Sequence, residues 1–404
     1  MRCRWPRLGA ALLFVPLCAW GQTRVLTLEE ALELARAQGP GVALARGRVE
    51  EALAREAQAG RRYQENPSLE LGGGRRHRAG DDFVDFEAVV SQSLDPGPQR
   101  SARLAGARAS TDRARAELAD LQRLRLRDVW SVFARLLTSR DRLALLARGR
   151  QAADELLAAT RRRFDAGEGT ALELNRAHIA AANARADRLA EEAAGSAGLA
   201  RLKGLLGLEG PVEIRGSLAS PPPLSLDALL AGLGRRPDLE ALAAEAREAK
   251  ARILLGQAMA RPGFGVRGGL AREEGADIVR AGLVVTLPVH DRGREMTAAG
   301  QARAEALRRE LASARAAAEA EVREGYSSLA HQLSAARELE NTAIPALEDN
   351  ESLALKSFEA GEIGLGELLL IRREILETRL AYLDRLLDAA LTRFELEAAA
   401  GALR

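Results

Sequence analysis

Apolar residues along this chain follow two periods, and the two predict different elements. Near the C-terminus Leu376, Leu380, Leu383, Leu387, Ala390 and Phe394 recur at steps of four and three, which places them in one seam of a helix. Ile371, Ile375, Thr378 and Tyr382 form a second seam, displaced around the same helix. One seam suffices for a two-stranded coiled coil. Two seams imply neighbours on both sides, as in a ring of helices, or the wide apolar face of an ordinary bundle helix. Elsewhere the period falls to two, in Phe83-Val84-Asp85-Phe86-Glu87 and in Phe264-Gly265-Val266-Arg267. These stretches predict strands at 68–78 and 83–94, turning near Gly80-Asp81, and at 264–272 and 278–289, turning near Glu274-Gly275.

The pattern also repeats. Phe164-Asp165-Ala166-Gly167-Glu168, followed by Glu173-Leu174, recurs half a chain later as Phe358-Glu359-Ala360-Gly361-Glu362, followed by Glu367-Leu368. Leu26-Thr27-Leu28-Glu29 recurs as Leu224-Ser225-Leu226-Asp227, and Val89-Val90-Ser91 as Val284-Val285-Thr286. Such spacing is far longer than a solenoid unit and reads as a duplicated half-protein. Each half is expected to run helix, hairpin, long helix, tight break, helix. The first unit spans 22–216 with its hairpin at 67–94, and the second spans 225–404 with its hairpin at 262–289. A stiff linker at 217–224, carrying Ser220-Pro221-Pro222-Pro223, separates them. The predicted helices are 27–60, 98–164 and 170–206, then 225–258, 294–359 and 365–400, with Pro345 expected to kink the fifth. Each long helix has about 65 residues, about 100 Å at 1.5 Å per residue. The two shorter helices of each half, laid end to end, match that length, as a wall of parallel rods requires. The fold class expected is therefore mainly α with a small β part.

Composition narrows the setting. Arg2, Arg4 and Arg7, the apolar stretch 8–17, and Ala19-Trp20-Gly21 read as a cleavable signal peptide over 1–21. Cys18 invites lipidation, although Leu17 is large for the position before a lipidated cysteine. Cys3 and Cys18 both lie in this segment, so the expected mature chain has neither disulfide nor thiolate metal site. No later apolar run reaches the length of a membrane-spanning helix, a test to which a β-barrel is blind. The net charge of +2 argues against a nucleic-acid partner.

The two halves resemble the TolC-type outer-membrane efflux factors. The resemblance rests on Leu26-Thr27-Leu28-Glu29-Glu30-Ala31-Leu32, Asn66-Pro67, Arg236-Pro237-Asp238-Leu239, Leu287-Pro288-Val289-His290-Asp291-Arg292 and the two Phe-x-x-Gly-Glu turns. It implies a homotrimer in which each copy gives four strands to one 12-stranded β-barrel in outer-membrane lipid. The helices would build a long α-helical barrel in the periplasm that docks a periplasmic adaptor and an inner-membrane pump. The Pro-Val-His-Asp-Arg junction and the Phe-Glu-Ala-Gly-Glu-Ile turn look most like the heavy-metal-cation branch. The rival expectation is a periplasmic coiled-coil scaffold or adaptor without a pore.

By the same resemblance the two turns lie at the periplasmic tip. Phe164, Gly167, Phe358, Gly361 and Leu368 are then candidates for adaptor docking, and Asp165, Glu168, Glu173, Glu359, Glu362 and Glu367 for an acidic gate. The plainer reading of Glu173 is a capping box with Thr170, and it is the favoured one. Glu367 has only Gly364 three residues back, so it is the chief pore candidate. Where the family often places a basic or hydroxyl residue, Ile363-Gly364 stands here, against a salt-bridged closed tip. Gly263 to Gly268 matches a dinucleotide fingerprint literally, yet it lies inside an expected strand with no helix following. His77, His178, His290 and His331 show no metal-ligand spacing. No cofactor, metal site or catalytic constellation is expected.

Overall fold

Long, Ala- and Leu-rich stretches without internal breakers become rods, and the rods set the shape of the chain. The computed structural model describes residues 24–402 apart from 39, 79, 96 and 219–223, with 38, 40, 78 and 348 described by backbone alone. The expected signal segment with its cysteines, and Ser220-Pro221-Pro222-Pro223, lie outside the described residues. The elements are β1 (Arg24–Leu26), α1 (Leu28–Gln38), α2 (Pro40–Ala59), β2 (Ser68–Arg78), β3 (Asp81–Leu94), α3 (Gly97–Asp165), α4 (Ala171–Leu206) and β4 (Val212–Ile214). There follow α5 (Leu226–Gly232), α6 (Pro237–Met259), β5 (Gly263–Glu273), β6 (Ala276–Thr286), α7 (Arg294–Glu338), α8 (Ile344–Glu359) and α9 (Leu365–Ala399).

The 69 residues of α3 make it about 100 Å long. Near one end α3 packs between α2 and α6, and towards the other between α4 and α9, while α7 packs on α6 and then on α9. The wall therefore reads α2 over α4, then α3, then α6 over α9, then α7 continuing into α8. Among the described residues no helix is long and apolar enough to cross a membrane.

Three helices differ from the expectation, each where a proline intervenes. The helix expected at 27–60 is two, α1 and α2, because Pro40 opens a new first turn. The one expected at 225–258 breaks at a 3-10 turn, Leu233–Arg235, before Pro237 starts α6. The second long helix is interrupted by a π-helical turn, Leu339–Ala343, in which the Ile344 N–H bonds the Leu339 carbonyl five residues back. Pro345, lacking a donor, follows in the first turn of α8.

One strand pair escaped the sequence reading. β1 lies parallel to β4, with Arg24 opposite Val212 and Leu26 opposite Ile214. It fastens the start of the first half to its end, over a cluster of Leu26, Leu126, Val129, Phe133, Leu136, Leu202 and Leu206. The second half has its own cluster of Leu229, Val322, Leu329, Leu333, Leu396 and Ala399. A parallel ring stack between Trp130 and Phe394, centroids 4.6 Å apart, joins α3 to α9.

Candidate functional site

The two hairpins join into one antiparallel sheet in the order β2-β3-β5-β6. Its register sorts side chains onto two faces. Leu69 lies opposite Val90, Leu71 opposite Ala88 and Arg75 opposite Val84. Across the next pairing Ala88 meets Leu270 and Leu94 meets Phe264. Phe264 then meets Val285, Val266 meets Leu283 and Leu270 meets Val279. This face is apolar and bare: Val84 is 70% exposed, Leu283 77% and Val279 80%. So large a continuous apolar surface marks an interface with something other than water. Arg75, opposite Val84, and His77 bring charge to this face towards the turn of the first hairpin. There His77 Nδ1 lies 2.6 Å from an Asp82 carboxylate oxygen.

The opposite face carries charge. Arg76 donates to Asp85 at 2.8 Å and to Glu274 at 3.1 Å, and Arg280 reaches Glu273 at 2.5 Å and Glu87 at 3.3 Å. Glu274 adopts the left-handed region, φ 51°, and Gly275 follows at 78°. Non-glycine residues rarely take this conformation. Asp85 steadies it by accepting the Glu274 N–H at 3.2 Å. The literal dinucleotide fingerprint falls inside β5. There Gly269 lets the backbone close on its neighbour, since a Cβ would stand 2.7 Å from the Ala88 carbonyl.

At the far end of the rods the two repeated turns have the same geometry. Gly167 and Gly361 both sit at φ 77°. The Gly167 N–H donates to the Phe164 carbonyl at 2.9 Å and the Glu168 N–H to that of Arg163 at 2.8 Å. In the second turn the Gly361 N–H donates to Phe358 at 3.1 Å and the Glu362 N–H to Ser357 at 2.8 Å. Both are left-handed glycine caps that satisfy the last carbonyls of α3 and α8.

The chains diverge on leaving these turns. Thr170 and Glu173 close a full capping box, the Thr170 N–H donating to Glu173 at 2.9 Å and the Glu173 N–H to the Thr170 hydroxyl at 3.2 Å. The Thr170 amide holds the Glu173 carboxyl below the usual carboxylate range, against the opposing effect of burial and helped by the Thr170 hydroxyl and the Arg163 charge. Glu173 is thus committed to starting α4. By contrast, Gly364 starts α9 without a side-chain cap, and Glu367 is exposed in its first turn. Asp165, Glu168, Glu359 and Glu362 are exposed as well.

Two features were not anticipated from sequence. Arg161, Arg162 and Arg163, all exposed, stand directly before Phe164, so the acids share the tip with a basic run. Arg176 lies across Gly366, where a Cβ would come 2.6 Å from its guanidinium, and so joins the first turns of α4 and α9. Leu368 needs correction as a docking contact: at 1% exposure it belongs to a cluster with Leu156, Ala177, Ala354 and Leu365. Its apolar side chain fixes the start of α9 instead. Phe358 is half-buried against that cluster, and Phe164 stays exposed. Among the described residues no group of three or more His, Cys, Asp or Glu side chains is placed to hold a metal ion.

Comparison with known proteins places this geometry. Residues 31–208 match the sequence model of a family described as outer membrane efflux protein. No curated protein matches the chain significantly in sequence. Among solved structures, a membrane protein from Pseudomonas aeruginosa superposes with a TM-score of 0.79 at 17% identity, covering 93% of this chain and 90% of its own. The outer membrane channel CmeC of Campylobacter jejuni gives 0.75 at 14% identity, covering 99% and 94%. The open state of the Neisseria gonorrhoeae outer membrane channel MtrE gives 0.75 at 18%, covering 93% and 88%. These likenesses establish a shared fold over nearly the full length.

Proposed function

We propose that this chain, which matches the outer membrane efflux protein family over residues 31–208 and shares the fold of outer-membrane channels, is a member of that family and the outer-membrane exit duct of a tripartite efflux system. The observation that carries this reading is the two-faced sheet. One face is apolar and bare, the other bears ion pairs, and among the described residues β2 and β6 each lack a second neighbour. In lipid an open strand edge leaves backbone donors and acceptors unpaired, so the sheet has to close on other copies. β6 of one copy and β2 of the next run antiparallel and continue the pattern. Three copies, the number the family uses, give twelve strands. An 11-residue strand such as β6 is about 36 Å long and, tilted by about 40°, spans about 27 Å, close to the apolar band of a barrel.

The helical wall needs closing in the same way. α2 and α4 expose Leu44, Leu53, Leu172, Ile179 and Leu189, and α8 exposes Leu353 and Leu355. Neighbouring copies provide cover for such residues. The resulting tube conducts passively, its charged sheet face and tip bordering the water path, while an inner-membrane pump supplies the energy. A periplasmic adaptor engages the turns at Phe164 and Phe358, and Glu367 borders the opening.

The test is to express the chain from its full sequence, extract the membrane fraction in detergent, and measure oligomer mass and planar-bilayer conductance together. An outer-membrane trimer that conducts ions is the expected result. A water-soluble periplasmic species without conductance would overturn it and restore the scaffold alternative.

A further inference from the structure

The apolar stripe of the sheet does not stop where β6 stops. Val279, Leu283 and Val285 share a face, and two positions further along Leu287 and Val289 are still 64% and 63% exposed. Directly beyond them two arginines, Arg292 and Arg294, stand interleaved with Asp291 and Glu295. Arg292 and Arg294 line a groove of about 530 Å³ with Pro262, Leu287, Pro288 and Val289. Arg261 stands exposed beside Pro262.

The turn is built to present these arginines. Asp291 accepts the Gly293 N–H at 2.8 Å, and Gly293 takes the left-handed conformation, φ 64°. Arg292 is exposed and directs its Nε to the Pro288 carbonyl at 3.2 Å. Among the described residues no carboxylate pairs with Arg261, Arg292 or Arg294. The matching junction of the other half serves as the internal contrast. There Arg103 is paired with Asp95, and Arg100 donates twice to the Gly60 carbonyl, at 3.1 and 2.7 Å. One junction answers its cations within the chain, and the other holds them out at the end of an apolar stripe.

We infer that the groove at the foot of β6 binds an anionic phospholipid of the periplasm-facing leaflet. Its phosphate would sit between Arg292 and Arg294, and its acyl chain along Leu287 and Val289. The assignment rests on the reading of the sheet as a membrane barrel, and it adds to that reading a defined ligand and place. Two cations close to an anionic surface contribute about 1 kcal/mol each. Removing both should weaken binding about 30-fold, at 1.4 kcal/mol per tenfold.

The experiment uses delipidated full-length trimer and native mass spectrometry. It titrates phosphatidylglycerol, phosphatidylcholine and inorganic phosphate against wild type, Arg292→Gln/Arg294→Gln, the single variant Arg294→Gln, and, as a control further along α7, Arg308→Gln, whose exposed guanidinium pairs with Glu305. A preference for phosphatidylglycerol that falls about 30-fold in the double variant, partly in the single one and not in the control, with conductance retained, is expected. Equal lipid binding by wild type and double variant would overturn the site. Inorganic phosphate competing as well as the lipid would overturn the lipid assignment. Loss of trimer in both arginine variants would mean that a neighbouring copy's carboxylates are the true partners, and would also overturn it. Wild-type protein that neither trimerises nor conducts would instead remove the barrel reading beneath it.

Discussion

Leu283 separates a membrane barrel from a soluble scaffold more sharply than any other residue of the chain. It sits in the middle of the apolar face, opposite Val266, and is 77% exposed in the single chain. For a protein in water, Leu283→Arg at so open a position changes stability by about 0.5 kcal/mol or less. If that face meets hydrocarbon, the same change costs about 2–4 kcal/mol per copy near the bilayer midplane. Three symmetric copies make it about 6–12 kcal/mol per trimer. Val284, the next residue, is the control, because it points to the charged face over Gly265. Val284→Arg should cost little, since water and ion pairs already occupy that side. The assay compares the fraction of each variant recovered as outer-membrane trimer, and its urea midpoint in phospholipid vesicles. The expected order is wild type and Val284→Arg together, with Leu283→Arg far below. Equal recovery and equal midpoints for the two arginine variants would refute the assignment of faces.

The tip yields four further expectations. Thr170→Ala removes the cap of α4 and should destabilise the tip by about 1 kcal/mol, seen as faster amide exchange around Ala171–Leu174 with exchange in α3 around Phe133 unchanged. Because the folded Glu173 carboxyl titrates below its unfolded value, its contribution is complete above about pH 4.3 and is lost as pH falls through the lower folded value. Glu173→Gln should erase that part of the acid dependence, which a pH series of tip exchange between neutrality and pH 3 will read. Gly361→Ala forces a side chain into φ 77° at a cost of about 1–2 kcal/mol, whereas Gly364→Ala, at φ −82°, should cost far less; local exchange of α8 against α9 distinguishes them. Glu367→Gln should lower the cation selectivity of single channels and weaken block by multivalent cations, and unchanged selectivity in an intact trimer would sink its role at the opening.

Local chemistry was the legible part of this chain. Period-two alternation in Phe83-Val84-Asp85-Phe86-Glu87 marked β3, and the Phe-x-x-Gly-Glu turns marked both ends of the tip, because each signal spans only a few adjacent residues. Thr170 and Glu173, three residues apart, announced their cap in the same way. Features made by distant segments were not legible. β1 and β4 are three residues each, and neither Arg24-Val25-Leu26 nor Val212-Glu213-Ile214 is long enough to show a period. The π-helical turn was read only as a kink at Pro345, because the backbone answers a missing donor upstream of the proline rather than at it. The six acids suggested a negative mouth since they were counted without Arg161 to Arg163, which sit on the preceding helix turn. Leu368 looked like a docking residue because its burial comes from Leu156 and Ala354, far away in sequence.

The distribution of contacts along the rods argues for where movement is possible. The wall near β1 and β4 is held by large, fully buried side chains, Phe133, Leu26, Leu202 and Leu206, together with the Trp130–Phe394 stack. Midway towards the tip the grip changes character. Arg142 of α3 donates to Glu191 of α4 at 3.1 Å and to Asp384 of α9 at 2.5 Å, joining three rods at one residue. Burial alone would lower the Arg142 pKa, but the hydrogen bonds and charges of Asp384 and Glu191 outweigh it, so the cation stays firmly in place. Beyond it the buried cluster is small, two of its five members being Ala177 and Ala354. Arg185 with Asp154 at 2.6 Å adds an exposed pair of modest strength. Segments that move are drawn from the least stable part of a fold. On this gradient the sheet and the wall around Phe133 are held most firmly, and the proposed tip beyond Arg142 is the part whose rearrangement would break the fewest apolar contacts.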